Sequence, residues 1–217
     1  MNRRTVIVSG GMLDEEFVLD ILNSEETEFI IGVDKGLVFL YEHQIRPDYI
    51  VGDFDSAPED VVSYYREKTK IPIRAFNPVK DASDTEIAIR LCLELRRQHI
   101  VILGGTGTRI DHIWANVQSL QIALDAGAEA ILLDSHNRIR LADKKVVLNR
   151  ETAFGSYFSV FPFAGIVADF HIRGAKYPLS HHTLTPYDSL CVSNEFDADE
   201  VEIDFPLGEI VLMETRD

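Results

Sequence analysis

The chain has 217 residues, 46% of them apolar, enough for one large packed core or two modest ones. Its formal net charge of −15, with no basic stripe to offset it, excludes nucleic acid as a partner, so any phosphate must be met locally by amides, a few cations or a metal ion. Two cysteines, Cys92 and Cys191, without paired spacing, and the lack of any long apolar run argue against a disulfide framework and a membrane, and the expected location is the cytoplasm.

Residues 1–9 pass from two arginines into a short apolar run, too brief for a signal peptide. Continuous apolar runs at 5–8, 29–33, 49–51, 73–76, 100–103 and 130–133 read as strands covered on both faces. Helical patterns lie between them at 15–22, 36–43, 59–68, 84–97 and 113–126. The last carries Ile113, Val117, Leu120 and Leu124 on one stripe before Gly127. This alternation predicts an α/β layer, a doubly wound, mostly parallel sheet with helices on both faces. After Asp134 the pattern changes to short strand-like runs at 157–163, 167–173, 190–193, 201–205 and 210–213, divided by Gly, Pro, Asn and Asp. A smaller all-β sandwich is expected there, giving domains 1–137 and 138–217.

Five clusters of small and acidic residues each follow a predicted strand: Ser9-Gly10-Gly11, Asp34-Lys35-Gly36, Gly52-Asp53-Phe54-Asp55-Ser56, Lys80-Asp81-Ala82-Ser83-Asp84 and the stretch from Gly104 to His112. Loops after parallel strands emerge along one edge, so these clusters should converge in one crevice. Asp53 and Asp55 stand two residues apart, where an extended backbone points both the same way, and they could share Mg2+, which prefers hard oxygen ligands. Pro58-Glu59 equally suits a helix start with the aspartates as caps. Ser83 or Asp84 could cap the helix whose Glu86 completes a capping box, while the same loop offers Lys80 and amides to phosphate; Asp81 reads as structural. Gly104, Gly105 and Gly107 free the backbone for close approach to a ligand. The spacing is neither a dinucleotide fingerprint nor a Walker loop. Arg109 suits a phosphoryl oxygen, with an ion pair to Asp111 as the alternative. Trp114 reads as core or interface, and the adjacent His181 and His182 as surface residues pointing apart.

In their order and separation, Gly52-Asp-Phe-Asp-Ser56, Lys80-Asp-x-Ser-Asp84 and Gly104-Gly-x-x-x-x-Arg-x-Asp-His112 resemble the thiamine pyrophosphokinases, over nearly the whole chain. Gly174-Ala-Lys-Tyr-Pro-Leu179 and Ser193-Asn194 are similar to that family's substrate-side segments. The resemblance implies transfer of a diphosphate from ATP to the hydroxyethyl oxygen of thiamine, with release of AMP. It also implies a homodimer with thiamine between the α/β domain of one subunit and the sandwich of the other.

By the same resemblance Asp53, Asp55 and Asp84 would hold Mg2+, with Asp34, Arg109 and Asp111 completing the catalytic set. Gly10, Gly11, Lys80, Ser83, Gly105, Thr106 and His112 would join Arg109 around ATP, and Tyr177, Ser193 and Asn194 would receive thiamine. Ser83 replaces a common threonine with its hydroxyl retained, and Cys191 falls where another hydroxyl is expected. Two other readings stay open on the residues alone. One is a different Mg2+-dependent phosphoryl-transfer enzyme, phosphohydrolase or glycosyltransferase built on Asp-x-Asp; the other is a nucleotide sensor without turnover.

Overall fold

Six strands, β1 (Arg4–Val8), β2 (Thr27–Val33), β3 (Tyr49–Gly52), β4 (Ile73–Ala75), β5 (His99–Leu103) and β6 (Glu129–Leu133), lie in the order β6-β5-β1-β2-β3-β4 in the computed structural model. Every neighbouring pair among them is parallel. The structure describes residues 3–52, 57–75 and 82–217. The chain divides into two compact units, one ending at Ser135 and the other formed by His136–Asp217.

Both faces of the parallel sheet are covered, which explains its continuous apolar runs. Val6, Val8, Val101 and Leu103 share one face with Val18, Ile21 and Leu22 of helix α1 (Glu15–Leu22). Ile7 and Ile102, which pair with each other and point the other way, are equally inaccessible. Helix α2 is Gly36–Glu42, α4 is Asp84–Glu94 and α5 is Ile110–Asp125; α4 packs on β1, β2 and β3, and against α5.

Helix α5 begins at Ile110, three residues before its predicted start, and two other helices end differently from their prediction. Residues 59–68 form a short α3 (Glu59–Ser63) that widens into a π-helical turn, Tyr64–Lys68. The wider turn sets Tyr64 and the buried Tyr65 edge-on to each other and to Tyr41, an arrangement set by tertiary packing rather than by period. Helix α4 stops at Glu94 instead of 97 because Arg96 turns left-handed (φ +57), and the Arg96 and Arg97 amides close back on the Leu93 and Cys92 carbonyls. That is a Schellman closure made without its usual glycine, so no sequence signal marked it.

The second unit is built from two layers of four antiparallel strands each. One has the order β12 (Asn194–Glu195), β9 (Tyr157–Pro162), β14 (Ile210–Thr215), β7 (Asn137–Ala142). The other has β11 (Leu179–Leu184), β10 (Val167–Arg173), β13 (Glu200–Asp204), β8 (Val146–Asn149). Phe158, Val160, Ile210 and Leu212 from the first meet Phe170, Ile172, Val201 and Ile203 from the second in one core.

The strand expected at 190–193 is not formed. Asp188 Oδ1 accepts the Leu190 amide at 2.9 Å and the chain turns, burying Cys191 while Leu190 and Val192 stay outside. Cys191 is thus a core residue whose thiol burial pushes up to about 12. Four further strands, β7, β8, β11 and β12, were not anticipated.

Across β7 and β14, Glu214, only 2% exposed, accepts a paired hydrogen bond from the Arg138 guanidinium, with Nε at 2.8 Å. Arg138→Ala would leave that carboxylate buried without its cation. A loss of about 3–5 kcal/mol is expected, read as a lower urea midpoint at unchanged slope.

Candidate active site

The parallel unit runs outward from β1 through β2, β3 and β4, then returns to set β5 on the other side of β1. At such a switch point the flanking loops part, and ligands bind at the carboxyl ends of the strands. Here the loops after β1 and β5 are joined backbone to backbone at their base. The Ser9 amide donates to the Leu103 carbonyl at 2.8 Å, Gly11 to Gly104 at 2.9 Å, and Met12 to Thr106 at 3.0 Å. The seam is too tight for side chains: a Cβ on Gly11 would lie 2.2 Å from the Thr106 oxygen and 2.4 Å from that of Gly104.

A cleft of about 650 Å3 opens beside this seam. Four loops line it: Ser9, Gly10 and Gly11 after β1; Asp34 and Lys35 after β2; Ser83, Asp84 and Thr85 at the start of α4; and 104–109 with His112 at the start of α5. Nine of the residues singled out by sequence, Gly10, Gly11, Asp34, Ser83, Asp84, Gly105, Thr106, Arg109 and His112, therefore share one wall. Asp53, Asp55, Lys80 and Asp81 lie outside the described residues. Gly52, which directly precedes Asp53, packs against Asp34, with the position of a Cβ only 2.2 Å from Asp34 Oδ1. Asp34 itself holds a left-handed conformation (φ +45), one of the few side chains that tolerate it.

Ser83 is the N-cap of α4, its Oγ accepting the Glu86 amide at 3.2 Å, so its own hydroxyl proton remains available to a ligand. Asp84 begins the helix. Arg109 and Asp111 form a two-pronged ion pair at the solvent-exposed rim, Nε to Oδ1 at 3.1 Å and Nη2 to Oδ2 at 2.5 Å. The Arg109 guanidinium beside Asp111 holds that carboxyl below the usual carboxylate range. Asp111 faces Arg109 rather than lining the cleft.

Two residues that shape the cleft escaped the sequence reading. Thr85 Oγ1 and Ser9 Oγ share a buried hydrogen bond of 3.1 Å that ties α4 to β1. Asn116, buried on α5, donates from Nδ2 to the Gly105 carbonyl at 2.7 Å and so fixes the glycine loop. Asn116 had a signal, being a polar residue on the stripe of Ile113, Val117 and Leu120; Thr85 had none. Trp114 is 52% exposed, which excludes the core reading.

In the sandwich, a separate concavity of about 670 Å3 is lined by Lys176–Leu179 and Leu190–Asn194, bringing Tyr177, Ser193 and Asn194 together. Asn194, 2% exposed, accepts the Tyr177 amide on Oδ1 at 3.0 Å and donates from Nδ2 to the Tyr177 carbonyl at 2.8 Å. Its amide is therefore spent on holding the Tyr177 backbone. The Tyr177 ring is half exposed, with the Lys176 ammonium 5.6 Å from its centroid.

A doubly wound sheet with a glycine loop, a helix-capping serine and carboxylates at its switch point, followed by a sandwich with an aromatic-walled concavity, defines a two-domain phosphoryl-group transferase. Comparison with known proteins makes the class specific. Residues 22–138 match the thiamin pyrophosphokinase catalytic domain and residues 144–208 the thiamin pyrophosphokinase vitamin B1 binding domain. A thiamine pyrophosphokinase of Bacillus subtilis is 30% identical over 97% of this chain and 98% of its own. The crystal structure of a thiamine pyrophosphokinase from Bacillus subtilis superposes with a TM-score of 0.88 at 28% identity, over 99% of this chain and 100% of the other. That of a thiamin pyrophosphokinase from Geobacillus thermodenitrificans gives 0.85 at 30% identity, over 99% and 98%. The chain belongs to the thiamine pyrophosphokinase family. Its activity is thiamine diphosphokinase activity, an ATP-dependent transfer whose small-molecule substrates are ATP and thiamine.

Proposed function

We propose that the switch-point cleft holds the triphosphate of ATP and that the hydroxyethyl oxygen of thiamine attacks the β-phosphorus there. The new O–Pβ bond forms as the bond from Pβ to the α,β-bridging oxygen breaks, and AMP leaves with that oxygen. The observation that carries this reading is the convergence of Asp34, Ser83, Asp84, the glycine loop and Arg109 on one wall. In this assignment the loop backbone and the Ser83 hydroxyl bind phosphate oxygens. Arg109 exchanges its weakly held, fully exposed partner Asp111 for a phosphate, which its planar fork grips in two places.

The donor set suits Mg2+: carboxylate oxygens of Asp34 and Asp84 stand among the hydroxyls of Ser9, Ser83 and Thr85, and among the described lining residues His112 brings the one imidazole and none brings a thiol. Asp84 would hold the ion, with Asp53 and Asp55 from the loop after β3. Bound there, the ion would neutralise charge on the β- and γ-phosphate oxygens. Asp84 or Asp111 would accept the alcohol proton, Asp111 regaining its basicity once Arg109 leaves it for phosphate. Tyr177 would stack on the cationic ring of thiamine, with Ser193 beside it and Asn194 holding its backbone in place.

The test is phosphorus NMR of ATP, Mg2+ and thiamine with the protein. AMP and a diphosphate ester are expected in equal amounts, and neither when thiamine is omitted. ADP, free phosphate, or ATP consumption independent of thiamine supports a hydrolase instead. Sustained ATP binding with no AMP supports a sensor.

Arg109→Lys is expected to keep the fold and melting temperature but lose about 10²-fold or more in kcat, since an ammonium cannot reproduce the two-pronged grip.

A cytoplasmic homodimer, with each site shared between the α/β unit of one subunit and the sandwich of the other, completes the proposal. Mixing inactive Asp84→Asn with inactive Tyr177→Ala subunits should restore about a quarter of wild-type activity, the statistical share of intact composite sites in a C2 dimer. Mixtures that stay inactive after subunit exchange overturn the shared site.

A further inference from the structure

The sandwich carries a side-chain cluster for which the transfer reaction has no use. On the adjacent strands β10 and β11, where Phe170 pairs with His182, the His171 and His181 rings lie edge-on with centroids 4.6 Å apart. Asp169 Oδ1 accepts a hydrogen bond from His171 Nε2 at 3.1 Å and another from His181 Nδ1 at 2.6 Å. The three donor atoms lie within 4.8 Å of one another. His181 and His182 do point apart, as adjacent strand residues should, but His181 points into this cluster and His182 to Asp188 at 2.6 Å.

The backbone is bent to make this arrangement. Asp169 (φ +53) and His181 (φ +52) are both left-handed, and the β10–β11 register shifts on either side of Phe170. Bulges of this kind re-aim side chains and concentrate at functional sites. His171 is anchored, 8% exposed, while the His181 side chain is 79% exposed, so the cluster is rigid at its base and open to solvent at its mouth.

We infer that Asp169, His171 and His181 form a binding site for a divalent transition-metal ion of the Zn2+ type, with water in the remaining position. Two imidazoles and one carboxylate are the ligands such ions prefer, and the set is unsuited to Mg2+, which seeks oxygen ligands alone. Bonds of about 2.0–2.1 Å in a tetrahedron separate ligand atoms by about 3.3 Å. The His171 contact at 3.1 Å is nearly there already, and the exposed His181 must withdraw by about 0.7 Å from its present 2.6 Å. Each neutral imidazole then moves its proton to its other nitrogen. On His181 that is Nε2; on His171 it is Nδ1, 3.5 Å from the Ser180 hydroxyl, at the loss of a 3.4 Å contact with the His181 amide.

The ion would tie β10 to β11 two residues beyond Leu179, whose neighbours Tyr177 and Pro178 wall the sandwich concavity. Only this consequence rests on the concavity receiving thiamine; binding of the ion does not.

Titration of the full chain with Co2+, in excess Mg2+ to occupy the carboxylate cleft, reads the site through visible d–d absorption. One equivalent with tetrahedral-type bands, displaced by Zn2+, is expected. His181→Ala and Asp169→Asn should each weaken binding by about tenfold or more, and His182→Ala should leave it unchanged. The inference is overturned by unaltered Co2+ binding in His181→Ala, or by a wild-type protein that develops no such bands. The His181 side chain is largely in solvent, so its removal tests the site more than the fold. Absence of thiamine turnover would sink the functional reading and leave this titration intact.

Discussion

Asp84→Asn is expected to lower kcat by about 10²–10³-fold or more while the protein stays folded. The substitution keeps the size and shape of the side chain and removes its charge. Ser83, not Asp84, supplies the cap that starts α4, so the helix keeps its first-turn hydrogen bond to the Glu86 amide. What is lost is an anionic oxygen lining the cleft, the one proposed to hold a cation against the phosphates. Steady-state rates with circular dichroism as the folding control decide it. Near-normal turnover in a folded Asp84→Asn protein would remove Asp84 from the chemistry. Asp55→Asn carries the same expectation from sequence.

Gly11→Ala tests the seam rather than the charges. One methyl group would have to fit where the Thr106 and Gly104 carbonyl oxygens stand 2.2 and 2.4 Å away, so backbone on one side must move. Opening the seam breaks the Gly11 and Met12 amide bonds to the β5 loop and shifts the backbone proposed to face the phosphates. Overpacking of this kind typically costs about 1–3 kcal/mol. The larger expected effect is on ligand affinity, at least about tenfold weaker ATP binding by calorimetry, because a displacement near 1 Å in a positioning loop costs up to about 10² in rate. Unchanged ATP affinity would mean that the seam does not shape the nucleotide site.

The parallel layer was legible because strands such as Val6–Val8 are buried on both faces and read as unbroken apolar runs, while the residues that follow them are small or acidic. Topology did the rest, since a switch point gathers loops that sequence keeps far apart, as with Gly11, Asp34 and Gly104. The sandwich was less legible. Residues 190–193 carry strand-like residues, yet a carboxylate cap at Asp188 and the burial of Cys191 turn the chain there. Conversely, β11 has few apolar residues and is held by its partner β10. Thr85, and the hold of Asn194 on the Tyr177 backbone, could not be read because these contacts, to Ser9 and to Tyr177, are made only on folding. The Asp169 cluster was hidden for a related reason. The rule that neighbouring strand residues point apart is obeyed by His181 and His182, but it says nothing of what each one finds across the sheet.

The most direct measurement is a crystal structure with Mg2+ and α,β-methylene-ATP, whose carbon bridge prevents the departure of AMP. The account expects the triphosphate to lie in the cleft between the β1 and β5 loops, with Arg109 turned from Asp111 onto a phosphate and Asp84 at the cation. A nucleotide seated elsewhere on the chain, with Arg109 still paired to Asp111, would contradict it.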